Sequence, residues 1–220
     1  MELIFIRHGK PKVEPGDNDP VLTEPARMQA ARVGHWLRRE NIERVVSSPM
    51  RRAIETAEPT SRILGLELEV REGLAEVGRF GPGYRGIEAL RKDPVGWAKF
   101  LEDPISFLGG DPLTFKRDVL DAVAGLLDGR TEARIAVFAH GLPINVVLSH
   151  ILGLQRVSHF LPDYCSLTRV AGPVLNDLRV LSFNETAHLA DSLPTDQKPA
   201  SGGNDPHGAA ASNLQSGAAR

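Results

Sequence analysis

The chain has 220 residues, 41% hydrophobic and 25% charged, with 26 Lys and Arg against 28 Asp and Glu and a formal net charge of −2. This composition excludes whole-chain disorder, and without bulk positive charge no nucleic acid partner is expected. The single cysteine, Cys165, excludes an internal disulfide and a multi-cysteine metal site and fits a reducing compartment; no apolar run reaches ~18 residues and no signal peptide is visible, so a soluble cytoplasmic protein without a membrane partner is expected.

In chain order, Leu3–Ile6 is a short apolar run that suits a strand buried on both faces. A Pro/Gly/Asp-rich loop follows from Pro11 to Pro20, and Thr23 can N-cap a helix to about Glu40 with Pro25 in its first turn. Val45-Val46 predicts a second strand, Pro49 opens a helix through about Leu64 that Gly65 stops, and Leu66–Val70 reads as a third strand. Gly78–Gly86 is a glycine-rich loop, and residues 86–108 predict short helices broken by Pro94 and Pro104. Leu113–Leu127 has helical periodicity, Arg134–Ala139 is a strand and Pro143–Leu152 a helix. Two further strand-like runs, Ser166–Val170 and Leu178–Phe183, are split by a Gly-Pro turn. The alternation predicts an α/β class fold: three layers, α/β/α, with a mostly parallel central sheet. One domain is expected over 1–190. In 191–220, 17 of the 30 residues are Gly, Pro, Ala or Ser, which predicts a disordered tail.

Three short motifs follow strands. Arg7-His8-Gly9 places a guanidinium and an imidazole at a strand's carboxyl end, where open α/β sheets bind ligands. Ser48-Pro49-Met50-Arg51-Arg52-Ala53-Ile54-Glu55-Thr56-Ala57 opens a helix whose N-terminus favours anions, with Arg52 on its first turn. Ala139-His140-Gly141 repeats the first pattern, so two histidines can converge on one crevice. Each motif alone reads as a turn or a capped helix; together they point to an anion site.

These motifs, with Leu22-Thr23-Glu24 and Gln29-Ala30, resemble the histidine phosphatase superfamily, also called the phosphoglycerate mutase-like family, over about residues 1–185. The resemblance implies a hydrolase, a phosphomonoesterase of the histidine acid phosphatase type that acts on a small phosphorylated substrate. His8 would be the nucleophile that becomes phosphohistidine, one ring nitrogen held by a backbone carbonyl. Arg7, Arg52 and His140 would bind the phosphoryl oxygens. Glu76 would be the general acid and base, with Glu72 and Glu88 as alternatives. Burial should raise the Glu76 pKa and nearby arginines should lower it. No cofactor and no metal are expected; Asp17 and Asp19 stand without the spacing of a metal motif.

Several positions depart from the family pattern. Glu14 stands where a carboxylate would repel phosphate, and should point away. Ala26 replaces a common Gly, Tyr164 stands where Asn is frequent, and Gly81-Pro82-Gly83-Tyr84 replaces a Trp-containing turn. The basic residues beside phosphoglycerate mutase motifs are not recognisable. A mutase-type phosphoryl transfer and a non-enzymatic phosphate-binding module remain the alternatives. The oligomeric state is left open, with a homodimer as one option. Trp36 and Trp97 are read as packing residues, Cys165 as an inert buried thiol, and His188 as non-catalytic.

Overall fold

The computed structural model describes residues 1–78, 84, 86–127 and 133–190. The tail expected at 191–220 and the turn at 81–83 lie outside the described residues.

Six strands form one sheet in the order β3-β2-β4-β1-β5-β6. They are β1 (Glu2–Arg7), β2 (Arg44–Ser47), β3 (Leu68–Val70), β4 (Arg134–Ala139), β5 (Leu167–Ala171) and β6 (Arg179–Glu185). The first four in spatial order run parallel, and β5 and β6 pair antiparallel at one side. The sheet is therefore mostly parallel and belongs to an α/β fold, as the strand–helix rhythm predicts. β1 and β4 are its apolar centre: Leu3–Ile6 and Ile135–Ala139 are all buried. A strand covered on both faces can be apolar at every position, which explains why these two show no alternation.

Helices α1 (Glu24–Leu37) and α2 (Arg51–Leu64) pack together, with α2 lying on β2 and β4. The opposite face carries α6 (Pro112–Ala124) and α7 (Gly141–Leu152), whose Val119, Val123, Ile144 and Leu148 join Leu3, Phe5, Ile135 and Val137 in the main core. The odd-numbered residues of β1 and β4 thus face one helix layer, and the period of two sends their even-numbered ones to the other.

Three shorter helices bridge β3 and α6: α3 (Ile87–Leu90), α4 (Pro94–Glu102) and α5 (Pro104–Phe107). The helical stretch is divided at Pro94 and Pro104, as the sequence predicts, and each proline stands at a helix start. Pro94, Pro104 and Pro112 each begin a helix, and the preceding aspartate caps it: Asp93 accepts from Gly96 N at 3.0 Å, Asp103 from Ser106 N at 3.1 Å and Asp111 from Thr114 N at 2.8 Å. A ring nitrogen costs no hydrogen bond in the first turn, so Asp-Pro is a start signal.

Other boundaries shift by two or three residues. Helix α1 stops at Leu37, not Glu40, and α2 begins at Arg51, with Pro49 in the extended turn before it. Gly65 ends α2 in the left-handed region, φ 65°, as a C-terminal glycine does. Helix α7 starts at Gly141, two residues before Pro143.

Candidate active site

The parallel strands β2, β4 and β1 are neighbours and end level with one another: Arg7 pairs with Ala139, and Ser47 with Phe138. The residue after each end is therefore placed on one crevice. Those residues are His8, Ser48 and His140, and the two imidazole centroids lie 4.9 Å apart. The N-termini of α2 and α7 open beside them, adding the positive ends of two helix dipoles.

His8 is buried and its orientation is fixed. Nδ1 lies 2.8 Å from the Gly9 carbonyl oxygen, and Arg52 Nε–H donates to Nε2 at 3.3 Å. A nitrogen facing a carbonyl must carry the proton, and one facing a guanidinium must carry the lone pair. The carbonyl expected to hold one ring nitrogen is thus that of Gly9. Burial, then Arg52 and Arg7, hold the His8 pKa well below the usual histidine value, so the ring is neutral at neutral pH. Gly9 is also required for close packing, because a Cβ there would lie 3.0 Å from Ala26 Cβ and 3.3 Å from Cys165 Sγ. Its N–H is held by Thr56 Oγ1 at 2.9 Å.

Arg52 is 1% exposed and Arg7 9%. Asp19 touches Arg52 at 3.4 Å and also accepts the Arg51 N–H at 3.0 Å, so its carboxylate is shared with the start of α2. Burial lowers the Arg52 pKa, although Tyr84, Glu76 and Asp19 pull the other way. Arg7 has no carboxylate partner among the described residues; it donates Nη1–H to the Pro162 carbonyl at 2.6 Å, lies 4.0 Å over the Tyr164 ring, and leaves Nε buried without a partner.

His140 is fully buried, with Nε2 2.7 Å from Ser48 Oγ. Ser48 Oγ also accepts the Met50 N–H, and its own proton can go to His140 Nε2. The ring proton then sits on Nδ1, which has no hydrogen-bond partner. Burial, Arg52, His8 and Arg7 all hold the His140 pKa well below the ordinary value, so this ring is a neutral donor. Two buried orphan donors, Arg7 Nε and His140 Nδ1, are costly unless an acceptor arrives.

Glu76 follows the short 3-10 turn Glu72–Leu74 and is half-buried. Its oxygens accept from Val77 N at 3.1 Å and from Leu142 N, at the start of α7, at 3.3 Å. Burial raises its pKa, and this outweighs the lowering by Arg52, by the two backbone N–H groups and by Arg7. Arg7, His8, Arg52 and Glu76 line one cavity of about 370 Å³. Of the alternatives, Glu72 is exposed, and Glu88 is exposed with Oε2 3.3 Å from the Tyr164 hydroxyl.

Several contributors escape the sequence reading. Tyr164 stands out there only as a departure from the family pattern, yet its buried ring lies 5.6 Å from His8. Tyr84 lies 4.9 Å from the Arg52 guanidinium carbon. Ser48 and Thr56 sit inside the α2 motif with no evident role, and Asp19 draws notice only as a metal ligand. Ser48 can be found from its place after β2, in register with His140 after β4. Glu14 is exposed and paired with Lys12 at 2.6 Å, away from the cage as expected. Burial pushes the Cys165 thiol up to about 12, so it is inert. His188 Nε2–H donates to the Cys165 carbonyl at 3.0 Å, outside the cage.

A family model described as histidine phosphatase superfamily (branch 1) matches residues 3–183. Phosphoserine phosphatase 1 of Hydrogenobacter thermophilus is 25% identical over 205 residues, covering 87% of this chain and 95% of that protein. A protein of Salmonella paratyphi A named probable phosphoglycerate mutase is 27% identical over 163 residues, 70% of this chain and 76% of its own length. The solved structure of mycobacterial glucosyl-3-phosphoglycerate phosphatase superposes with a TM-score of 0.70 at 21% identity, covering 84% of this chain and 99% of that one. That last likeness is one of fold.

Proposed function

The chain belongs to the histidine phosphatase superfamily, and on that premise we propose that it hydrolyses a small phosphomonoester through a phosphohistidine on His8, as a phosphomonoesterase of the histidine acid phosphatase type. The observation that carries this reading is the fixed His8 tautomer: Nδ1–H on Gly9 O, with the Nε2 lone pair turned to Arg52. A neutral imidazole with its lone pair presented to a cation cage is a nucleophile for a phosphoryl group and not a structural histidine.

In the first step Nε2 attacks phosphorus in line, and the bond from phosphorus to the leaving oxygen breaks. Arg7, Arg52 and His140 Nδ1–H hold the three non-bridging oxygens, where they stabilise the charge that spreads over them. The phosphoryl oxygens supply the acceptors that Arg7 Nε and His140 Nδ1 lack. Glu76, whose pKa burial raises, is the proton donor to the leaving oxygen. In the second step the Glu76 carboxylate takes a proton from water, the water oxygen attacks phosphorus, and the bond to Nε2 breaks. Inorganic phosphate leaves, and His8 and Glu76 are restored.

The test is acid- and base-quenched single turnover with a ³²P-labelled ester. The parent should accumulate protein-bound label that is stable to alkali and labile to acid, as a phosphoramidate is. His8→Ala should lack it and lose about 10⁴-fold or more in kcat, the scale of removing a covalent nucleophile. Residual activity within tenfold of the parent would remove His8 from this role.

A further inference from the structure

The cavity has two unlike ends. Among its described lining residues the charged ones are Arg7, Arg52 and Glu76, all at the strand-end side. The rest is mostly hydrocarbon. Ile87 and Leu90 come from α3, Phe100 from α4 and Phe107 from α5, and Phe160 and Leu161 come from the connection between α7 and β5. Two polar residues on this wall are already committed: Asn145 bonds the Gly141 carbonyl and both backbone groups of Phe160, and Ser158 donates to the Leu101 carbonyl. Asn18 belongs to the loop that carries Asp19 beside Arg52. Ile87, Phe107 and Leu161 are only half-buried, so their apolar surface is turned to the cavity and not consumed in packing.

Building on the phosphatase reading above, we propose that the substrate is the phosphate ester of an apolar alcohol or phenol. Its hydrocarbon part sits against α3–α5 and the α7–β5 connection while its phosphoryl group enters the cation cage. A substrate with a second anionic group, such as a carboxylate beside the ester, would have to place that charge toward Ile87, Leu90, Phe100 and Phe107, where no described charged residue of the lining stands. A hydrocarbon part instead exchanges water for wall contacts on both sides. It also seals the crevice, which keeps water from the charged end until the leaving group departs.

The series of n-alkyl phosphates from ethyl to hexyl isolates this effect, because their alcohols have nearly the same acidity. Each buried methylene should raise kcat/KM about fourfold, which is the conversion of about 0.8 kcal/mol. With four added methylenes we expect a rise of about 200-fold across the series, and hexyl or benzyl phosphate above phosphoserine and 3-phosphoglycerate by about tenfold or more. Ile87→Asn and Phe107→Asn should each flatten the chain-length slope more than they change ethyl phosphate turnover. A slope that stays within about threefold from ethyl to hexyl, or a preference for phosphoserine or 3-phosphoglycerate, overturns the proposal.

Calorimetric binding of the matching n-alkylphosphonates separates it from the phosphatase reading. Tighter binding with chain length, but no turnover of any ester, would support the pocket and remove the phosphatase reading. Turnover without chain-length dependence in either assay would do the reverse.

Discussion

The two ends of the central sheet hold arginines in opposite electrostatic states. At the end where the parallel strands begin, Arg169 meets Glu2 at 3.0 Å, Glu40 at 2.9 Å and Glu185 at 2.9 Å, and Arg134 meets Glu2 at 3.0 Å. Burial alone would lower the Arg169 pKa, but hydrogen bonds to Glu40, Glu2 and Glu185 raise it overall. At the end where the strands stop, Arg7 and Arg52 are more deeply buried. Their carboxylate neighbours are Asp19, shared with a helix start, and Glu76, whose pKa burial raises. A satisfied cluster ties β1, β4, β5 and the end of α1 together and has nothing left to offer a ligand. An unsatisfied one costs stability and stores attraction for an anion.

The sharpest way to break this comparison is to remove one arginine from each end. Arg52→Met should lower kcat/KM by about 10²–10³-fold, as loss of one donor to transition-state charge does, while Tm stays level or rises because an under-compensated buried cation is gone. Arg169→Met should do the opposite. It leaves Glu2, Glu40 and Glu185 facing one another, and the loss should be about 1–3 kcal/mol, less than the 3–5 of a dry ion pair because the cluster is partly solvated. Its kcat/KM should stay within about threefold. If Arg169→Met impairs turnover as much as Arg52→Met, the division between the two ends is wrong.

Glu76→Gln sharpens the same contrast through the leaving group. Turnover of alkyl phosphates should fall about 10²-fold or more, since proton transfer of this kind contributes 10²–10⁴. With 4-nitrophenyl phosphate, whose leaving group needs no proton, the loss should be under about tenfold. In the parent, kcat/KM should decline above the raised Glu76 pKa and hold at acid pH, because His8 stays neutral well below 6.5. The sign for stability follows from the same shift. A carboxyl raised by folding favours the fold below its unfolded pKa and loses that contribution as pH rises through the folded one. Glu76→Gln should therefore raise Tm at pH 8 and change it little at pH 4.5. An unchanged pH–rate profile in Glu76→Gln would transfer the acid role elsewhere.

The two buried histidines give a smaller, opposite dependence. Their folded pKa values are depressed, so their stability contribution is present above about 6.5 and is lost as pH falls toward the folded values. Each group adds at most about 1.4 kcal/mol per pH unit. His140→Gln should flatten the fall of Tm between pH 6.5 and 5, read by calorimetry at fixed ionic strength. A parent Tm that is constant across that range would mean that these rings titrate freely in the fold.

The smallest effects concern what the site does without. The cage supplies its positive charge from Arg7 and Arg52, so excess EDTA should leave kcat/KM unchanged within error. Deletion of 192–220, a stretch rich in Gly, Pro, Ala and Ser, should leave kcat/KM within about threefold, under 1 kcal/mol. A fall of more than tenfold at constant Tm would place that segment in the catalytic cycle.

What the sequence by itself determined was the skeleton and the chemistry at the strand ends. Apolar runs of four to six residues bounded by His-Gly corners mark β1 and β4, because a doubly covered strand must be apolar throughout and a chain leaving it must turn. Arg7, His8, Arg52 and His140 were legible for the same reason: each stands at a fixed offset from an element end, so local pattern gives position. The antiparallel attachment of β5 and β6 was not legible, since two short strands and a Gly-Pro turn fix no order in a sheet. Nor was Tyr164, which reaches His8 from 156 positions away through the pairing of β5 with β1. Only the tertiary structure decided the direction of the Glu76 shift, where desolvation outweighs Arg52, Arg7 and two backbone N–H groups. It also decided that helices α3, α4 and α5 bring Leu90, Phe100 and Phe107 to the cavity that Arg7, His8 and Arg52 line. Helical periodicity shows that such residues share an apolar face; what that face meets depends on how distant segments pack.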